Sequence, residues 1–283
     1  MPKKTLKLLL LPFLALALAL AGCTSGGSED SGGTASSGQS TLQTVLDRGT
    51  LRVAVLPDFP PSSSQKANGK FEGFEPDIAR ELAKALGVKL KLVSSNGDNR
   101  LPLMKSQRVD VNISSYTATN ERAKSVSFTI PYVAHGASLL FPKSSPIKSY
   151  SDLAGKKVSV ARGSTNDTIM TNDFPKTEVV RFDTIADAIA AVKADKVDAA
   201  VEAYVTVQKA AKKNPELAAI DAPPLKPQLV SMGILPGDPV WLNYLNNFIR
   251  NLIASGEDQK LYQKWFPNEL PKVVYGLPPA QQK

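Results

Sequence analysis

Val109, Val111 and Ile113 alternate with polar neighbours, the period of two that predicts a half-buried strand. The alternation ends in Ser114, Ser115 and Thr117. Thr119 then precedes Asn120-Glu121-Arg122 as the N-cap of a short helix. Comparable units recur along the chain. The pattern predicts a short helix over 42–47 and a strand over 51–56 that is stopped by Pro57-Asp58-Phe59-Pro60-Pro61. An amphipathic helix over 78–86 closes at Gly87, followed by a strand over 88–93 and a helix over 100–106. Alternating strands and helices imply a parallel, doubly wound α/β sheet, in which ligands lie beyond the carboxyl ends of the strands.

The pattern then repeats. Residues 104–116 overlay residues 192–204 without a gap, at a constant offset of 88. Lys105 and Lys193, Arg108 and Lys196, Val109-Asp110 and Val197-Asp198, Ile113 and Val201, and Tyr116 and Tyr204 coincide. The strand over 51–56 has its counterpart in 157–161. Two helix–strand units can agree by chance, but this many coincident positions point to two similar lobes. In the overlay Glu202 falls on Ser114, so both are expected at the cleft end of their strands. Arg162-Gly163-Ser164-Thr165 turns from a strand into a helix, and Gly163 allows a close backbone approach there.

The ends of the chain change the picture of its compartment. Lys3, Lys4 and Lys7 precede an apolar run over 8–21, too short for a membrane span and suited to a signal peptide over 1–22. The run ends Leu20-Ala21-Gly22-Cys23, which looks like a bacterial lipobox, with Cys23, the only cysteine, as the lipidation site. An ordinary signal peptide with an incidental cysteine is the alternative. Residues 23–40 are Gly-, Ser- and Thr-rich and are expected to form a flexible tether; 271–283 is expected to be a loose tail. The formal charge of +8 drops to about +5 once the three leader lysines are removed, and no basic run is interleaved with aromatics. Nucleic-acid binding is therefore disfavoured, and a positive cleft for a small anion fits at least as well. With 42% hydrophobic and 21% charged residues over 283 positions, two ordinary globular units are expected.

Helical side chains lean toward the helix start, so Arg122 is expected to reach back over the hydroxyl-rich loop. A guanidinium, short hydroxyls and a helix N-terminus together make a carboxylate site; an arginine on a solvated helix face is the plain alternative.

Taken together, several segments resemble the bacterial extracellular amino-acid-binding proteins that feed ABC importers. They are Gly49-Thr-Leu-Arg-Val-Ala-Val55, Asp58-Phe-Pro-Pro61, Gly73-Phe74 with Asp77, Arg108-Val-Asp110, Thr119-Asn-Glu-Arg122, Phe128 with Pro131-Tyr132, Leu153-Ala-Gly-Lys-Lys157, Gly163-Ser-Thr165 and Lys264-Trp-Phe266. The resemblance covers about 42–266. It implies a two-lobed periplasmic-binding-protein-like fold of type II, two doubly wound sheets joined by a two-strand hinge. Lobe 1 would comprise 41–136 and 229–270 and lobe 2 137–228, with crossings over 132–136 and 229–234.

The resemblance also implies roles. Arg122 would hold the α-carboxylate, helped by Ser115, Thr117 and the amides of Ser164 and Thr165. Phe59 would cover the aliphatic part of the ligand. The family's acid for the α-ammonium falls on Ala203, so Glu202 would replace it one residue away. Pro76 and Ser62 are further departures. Asn99-Arg100-Leu101-Pro102 resembles the segment of glutamate- and aspartate-binding members in which the arginine meets the side-chain carboxylate; Arg100 on the surface is the alternative. His135, the only histidine, is expected to pack in the hinge.

The implied protein is a lipid-anchored, extracytoplasmic, monomeric binding protein that delivers a polar, acidic amino acid to ABC permease subunits. It needs no cofactor or metal. The alternatives are a binding protein for a neutral ligand such as glutamine, and a dehydratase-like enzyme on the same scaffold, for which Glu202 is the one acid–base candidate. A sensory module is disfavoured, because the sequence carries no output domain after the fold.

Overall fold

The computed structural model describes residues 39–266. The leader, Cys23, the tether up to residue 38 and the tail over 271–283 lie outside the described residues. The first lobe opens with α1 (Thr41–Arg48), β1 (Thr50–Val55), β2 (Asp58–Phe59), β3 (Ser63–Gln65) and β4 (Phe71–Glu72). It continues with α2 (Phe74–Leu86), β5 (Lys89–Ser94), α3 (Arg100–Lys105), β6 (Val111–Asn112) and α4 (Asn120–Ala123). The long strand β7 (Ser127–Pro142) leads away to β8 (Lys157–Ala161), α5 (Thr165–Asp173), β9 (Glu178–Phe182), α6 (Ile185–Lys193), β10 (Ala199–Ala203), α7 (Tyr204–Lys213) and β11 (Leu217–Ala219). β12 (Leu225–Ile234) returns, and α8 (Pro239–Ser255) and α9 (Glu257–Trp265) complete the first lobe.

The strand order β5-β1-β6-β12-β7-β10-β8-β9 explains the two lobes. β1 pairs in parallel with β5 and β6, and β8 with β9 and β10, as expected of doubly wound units. The crossing strands run antiparallel: β12 pairs with β7 from Ile234↔Ser127 to Leu225↔Ala137, and β10 takes over β7 at Ala137 to Leu140. The two sheets are thereby hydrogen-bonded into one curled, mixed sheet. Each lobe has its own core. Leu51, Phe74, Leu82, Trp241 and Leu245 fill the first, and Leu139, Leu153, Val160 and Met170 the second.

Several expectations are adjusted at their edges. α2 begins at Phe74, before the apolar period starts, because Pro76 falls in the first turn, where a missing N–H leaves no bond unmade. The strand expected over 109–113 narrows to two residues, although Asp110 and Ile113 still donate to Arg52 and Ala54 of β1 at 2.8 and 3.0 Å. The return strand begins four residues earlier than expected, at Leu225. The small sheet β2-β3-β4 was not foreseen, because the proline cluster masks its short strands.

The 88-residue repeat is structural as well as sequential. Gln107 and Asp195, equivalent in the overlay, both adopt left-handed backbone, at φ 53 and 52. Asp110 then accepts the amide of Arg52, and Asp198 that of Lys157, each at 2.8 Å. The same carboxylate fastens the same first strand in each lobe.

Candidate functional site

The elements converge at the carboxyl ends of β1, β6, β8 and β10, on a cavity of about 600 Å³ that includes space open to solvent. Phe59, Arg100, Ser115, Thr117, Ser164, Thr165 and Glu202, from both lobes, line it. Arg122 does not.

Arg100 opens α3. Its partner in the sequence motif, Asn99, turns away to accept the Asn96 amide at 2.9 Å. The Arg100 residue is only 6% exposed, its Nε has no hydrogen-bond partner, and no carboxylate of the described residues lies within ion-pair distance. Burial lowers its basicity, yet a guanidinium keeps its proton at neutral pH, so this is a buried, unpaired cation.

Thr119 caps α4 by accepting the Arg122 amide at 3.2 Å, as the sequence predicts. The Arg122 guanidinium reaches back to the Thr117 carbonyl at 2.9 Å. It also crosses to the second lobe, donating to the Gly163 carbonyl at 2.9 Å and to Thr165 Oγ1 at 3.2 Å. All three acceptors are neutral. Burial first, and then the charge of Arg100, lowers its pKa to about 10.

Two expected helpers are partly committed elsewhere. Ser115, at φ 51, donates through its amide (2.6 Å) and hydroxyl (2.8 Å) to Glu75 Oε1, which also receives the Tyr132 hydroxyl at 2.7 Å. Glu75 is fully buried, its Oε2 has no partner, and burial pushes its carboxyl up to about 7 against those hydrogen bonds. The Ser164 amide is not free, contrary to expectation. It donates to the Ala161 carbonyl at 3.2 Å, because the turn at Gly163 folds back on β8, and the Ser164 hydroxyl is the N-cap of α5. Thr165, the first helical residue, has an amide with no intrahelical acceptor.

Glu202 points into the cavity, not into the core. Its carboxylate accepts Asn166 Nδ2 at 3.1 and 3.5 Å, and burial, reinforced by the nearby Asp58, raises it to about 8. Asn166 Oδ1 in turn accepts Gln228 Nε2 at 2.9 Å, and Gln228 Oε1 accepts the Thr117 hydroxyl at 3.2 Å. This buried chain runs from the second lobe through β12 to the first. Neither Asn166 nor Gln228 was singled out in the sequence, since single amides carry no spacing signal.

Asp58 also lines the cavity, and its Oδ2 accepts the amides of Ile185 (2.6 Å) and Ala186 (3.1 Å), the first turn of α6 in the other lobe. Asp183 pairs with Arg162 at 3.1 Å. Phe59, 3% exposed, packs with Ile185 and Ala203 and meets the His135 ring edge-on at 5.8 Å. His135 is held neutral, with burial lowering it to about 4, in keeping with a packing role. A Cβ on Gly97 would lie 2.2 Å from the Arg162 carbonyl oxygen, so the lobes touch backbone to backbone there. Among the described residues no cluster could hold a metal ion, and no helix is long and apolar enough to cross a membrane.

The family description "bacterial extracellular solute-binding proteins, family 3" matches residues 51–268. The L-cystine-binding protein TcyJ of Escherichia coli K12 is 30% identical over 82% of this chain and 88% of its own length. A glutamine-binding protein of Geobacillus stearothermophilus is 35% identical over 72% and 82%. Among solved structures, a mutant of the ArgBP of T. maritima superposes with a TM-score of 0.76 at 35% identity, covering 81% of this chain and all of that one.

Proposed function

This chain belongs to the bacterial extracellular solute-binding proteins of family 3, extracytoplasmic carriers for amino-acid ABC importers, and we propose that its own ligand has an acidic side chain. The observation that carries the reading is Arg100. A buried cation with no carboxylate of the described residues within ion-pair distance is costly unless a ligand supplies the anion, and this one faces the cavity. In this reading Arg100 takes the side-chain carboxylate. Arg122 exchanges its neutral acceptors for the α-carboxylate, since charge-assisted hydrogen bonds are about twice as strong as neutral ones. Thr117 and the amide of Thr165 support that group, with Ser115 beside them. Glu202 receives the ammonium, and Phe59 covers the aliphatic stem.

One observation favours a cationic or neutral ligand instead: Asp58, Asp183 and Glu202 line the same cavity, and the relatives named above bind arginine, cystine or glutamine by their names. Asp58 and Asp183 are already engaged, by two amides and by Arg162, which leaves Glu202 as the free acid for one ammonium. Calorimetric titration of the twenty amino acids tests the choice. Glutamate or aspartate is expected to bind tightest; arginine or glutamine in first place would retire the acidic ligand and leave the family role intact. Including a prephenate-like acid in the same screen tests the dehydratase alternative, which requires turnover as well as binding.

Cys23 is the proposed lipid attachment, with 23–40 as tether. Cys23→Ser is expected to move the protein to the soluble fraction with unchanged affinity; continued membrane association would remove the lipobox from this reading.

A further inference from the structure

We propose that Tyr116 is the positioning residue that holds Arg100, in the cavity wall, and Arg122, bonded behind that wall to the lining residues Thr117 and Thr165, at a fixed mutual spacing that suits a ligand with two carboxylates. The carbon of the Arg100 guanidinium is 4.9 Å from the centre of the Tyr116 ring, and that of Arg122 is 5.0 Å away. Both lie within the range in which the negative face of an aromatic ring attracts a cation. Two buried like charges repel, and both guanidinium groups lie over this one shared ring, which attracts each of them. Among the described residues, neither arginine has a carboxylate within ion-pair distance.

The ring is itself held rigidly. Tyr116 is 6% exposed and packs with Ala54, Met104, Val109 and Val126. Phe128 meets it edge-on at 5.1 Å. A Cβ on Gly233 would lie 2.9 Å from Tyr116 Cδ1, so the return strand leaves room for this ring and for little more. Its carbonyl accepts the Ser231 amide at 3.1 Å, and Thr117 bridges to Val230. Tyr116 is therefore fastened to the hinge strand on one side and to two cations on the other.

Tyr116 does not line the cavity, so it acts through the arginines and not on the ligand. Fixing both side chains before binding removes rotamer entropy that the ligand would otherwise have to offset, and arginine carries about 2 kcal/mol of it. The spacing also discriminates: a dicarboxylate uses both groups, and its amide analogue only one. This second consequence rests on the acidic-ligand reading, whereas the placement of the arginines does not.

Tyr116→Phe, Tyr116→Leu and the wild type separate these points. By nuclear magnetic resonance, the Arg100 and Arg122 Nε–H signals, assigned through Arg100→Lys and Arg122→Lys, are expected to be displaced by the ring current in wild type and Tyr116→Phe. In Tyr116→Leu they should return to ordinary arginine positions. In calorimetry with whichever amino acid binds tightest, Tyr116→Phe should stay within about threefold and Tyr116→Leu should weaken binding about tenfold or more. For glutamate or aspartate the leucine penalty should exceed that for glutamine. Undisplaced arginine signals in wild type would overturn the proposal, and they can be read even if the leucine variant fails to fold. So would a phenylalanine variant as weak as the leucine one, or a folded leucine variant within about threefold of wild type. If the displaced signals and the leucine loss are found with arginine or glutamine as ligand, the positioning role stands and the acidic-ligand reading falls.

Discussion

Asp58→Ala isolates one of the contacts that fasten the lobes together. Asp58 belongs to the first lobe, yet its carboxylate accepts two amides from the first turn of α6 in the second, at 2.6 and 3.1 Å. Those amides have no intrahelical acceptor, and the helix dipole favours a negative charge there. A hydrogen bond to a charged group contributes about 1.5–3 kcal/mol, and Asp58 is only half-buried, so screening reduces the pair to roughly the worth of one such bond. The contact forms only with the lobes closed. Its loss should therefore weaken ligand affinity by about ten- to a hundredfold, at roughly 1.4 kcal/mol per factor of ten. A smaller opposing effect comes from Glu202, whose carboxyl Asp58 helps to raise; without Asp58 it ionises more readily beside the ligand's ammonium. Surface plasmon resonance should place the loss in the dissociation rate, and small-angle scattering should find the unliganded variant more open than wild type. An affinity within about threefold of wild type, or a loss confined to the association rate, would refute the latch.

Arg100→Met should cost glutamate and aspartate about 2–5 kcal/mol of binding and cost glutamine far less, measured by calorimetry; equal losses for all three would place Arg100 outside the side-chain subsite. Glu75 and Glu202 have folded pKa values near 7 and 8, above the ordinary 4.5, so the folded state binds more protons than the unfolded one across that window. Their contribution is present below pH 4.5 and is lost as the pH rises through 7 to 8; the Tm of the unliganded protein should fall over that range, and Glu202→Gln should flatten the decline. Asp110→Ala removes a buried carboxylate from Arg48 (2.5 Å), Arg52 (2.8 Å) and the Arg52 amide. It should cost about 2–4 kcal/mol in chemical denaturation, whereas Asp198→Ala, at its half-buried counterpart in the second lobe, should cost under about 1 kcal/mol.

Much of this was readable from the sequence because it rests on local rules. Alternation found the strands near 53 and 111, and Thr119 announced its cap. The repeat at an offset of 88 anticipated two lobes, and the structure adds matching left-handed turns at Gln107 and Asp195. What local rules could not provide was which partner each polar group would choose. Ser115 and the Ser164 amide read as free donors, but Glu75 and the Ala161 carbonyl take them, through contacts set by tertiary packing. Arg122 carries the motif, yet Arg100 lines the cavity. Asp58 looked like part of a breaker cluster, and only the approach of the second lobe brings it to α6.

The buried chain from Thr117 to Glu202 has a sense of direction. The Thr117 hydroxyl donates to Gln228, which turns the Gln228 amine toward Asn166, which in turn presents its own amine to Glu202. A flipped Asn166 would set its oxygen against the Glu202 carboxylate and its NH2 group against that of Gln228, and a flipped Gln228 would set its oxygen against that of Asn166. Glu202 is thus met by a donor on the protein side, and its remaining lone pairs are left to a cation on the cavity side. A strand that joins two halves of the molecule thereby also sets the polarity of the pocket between them.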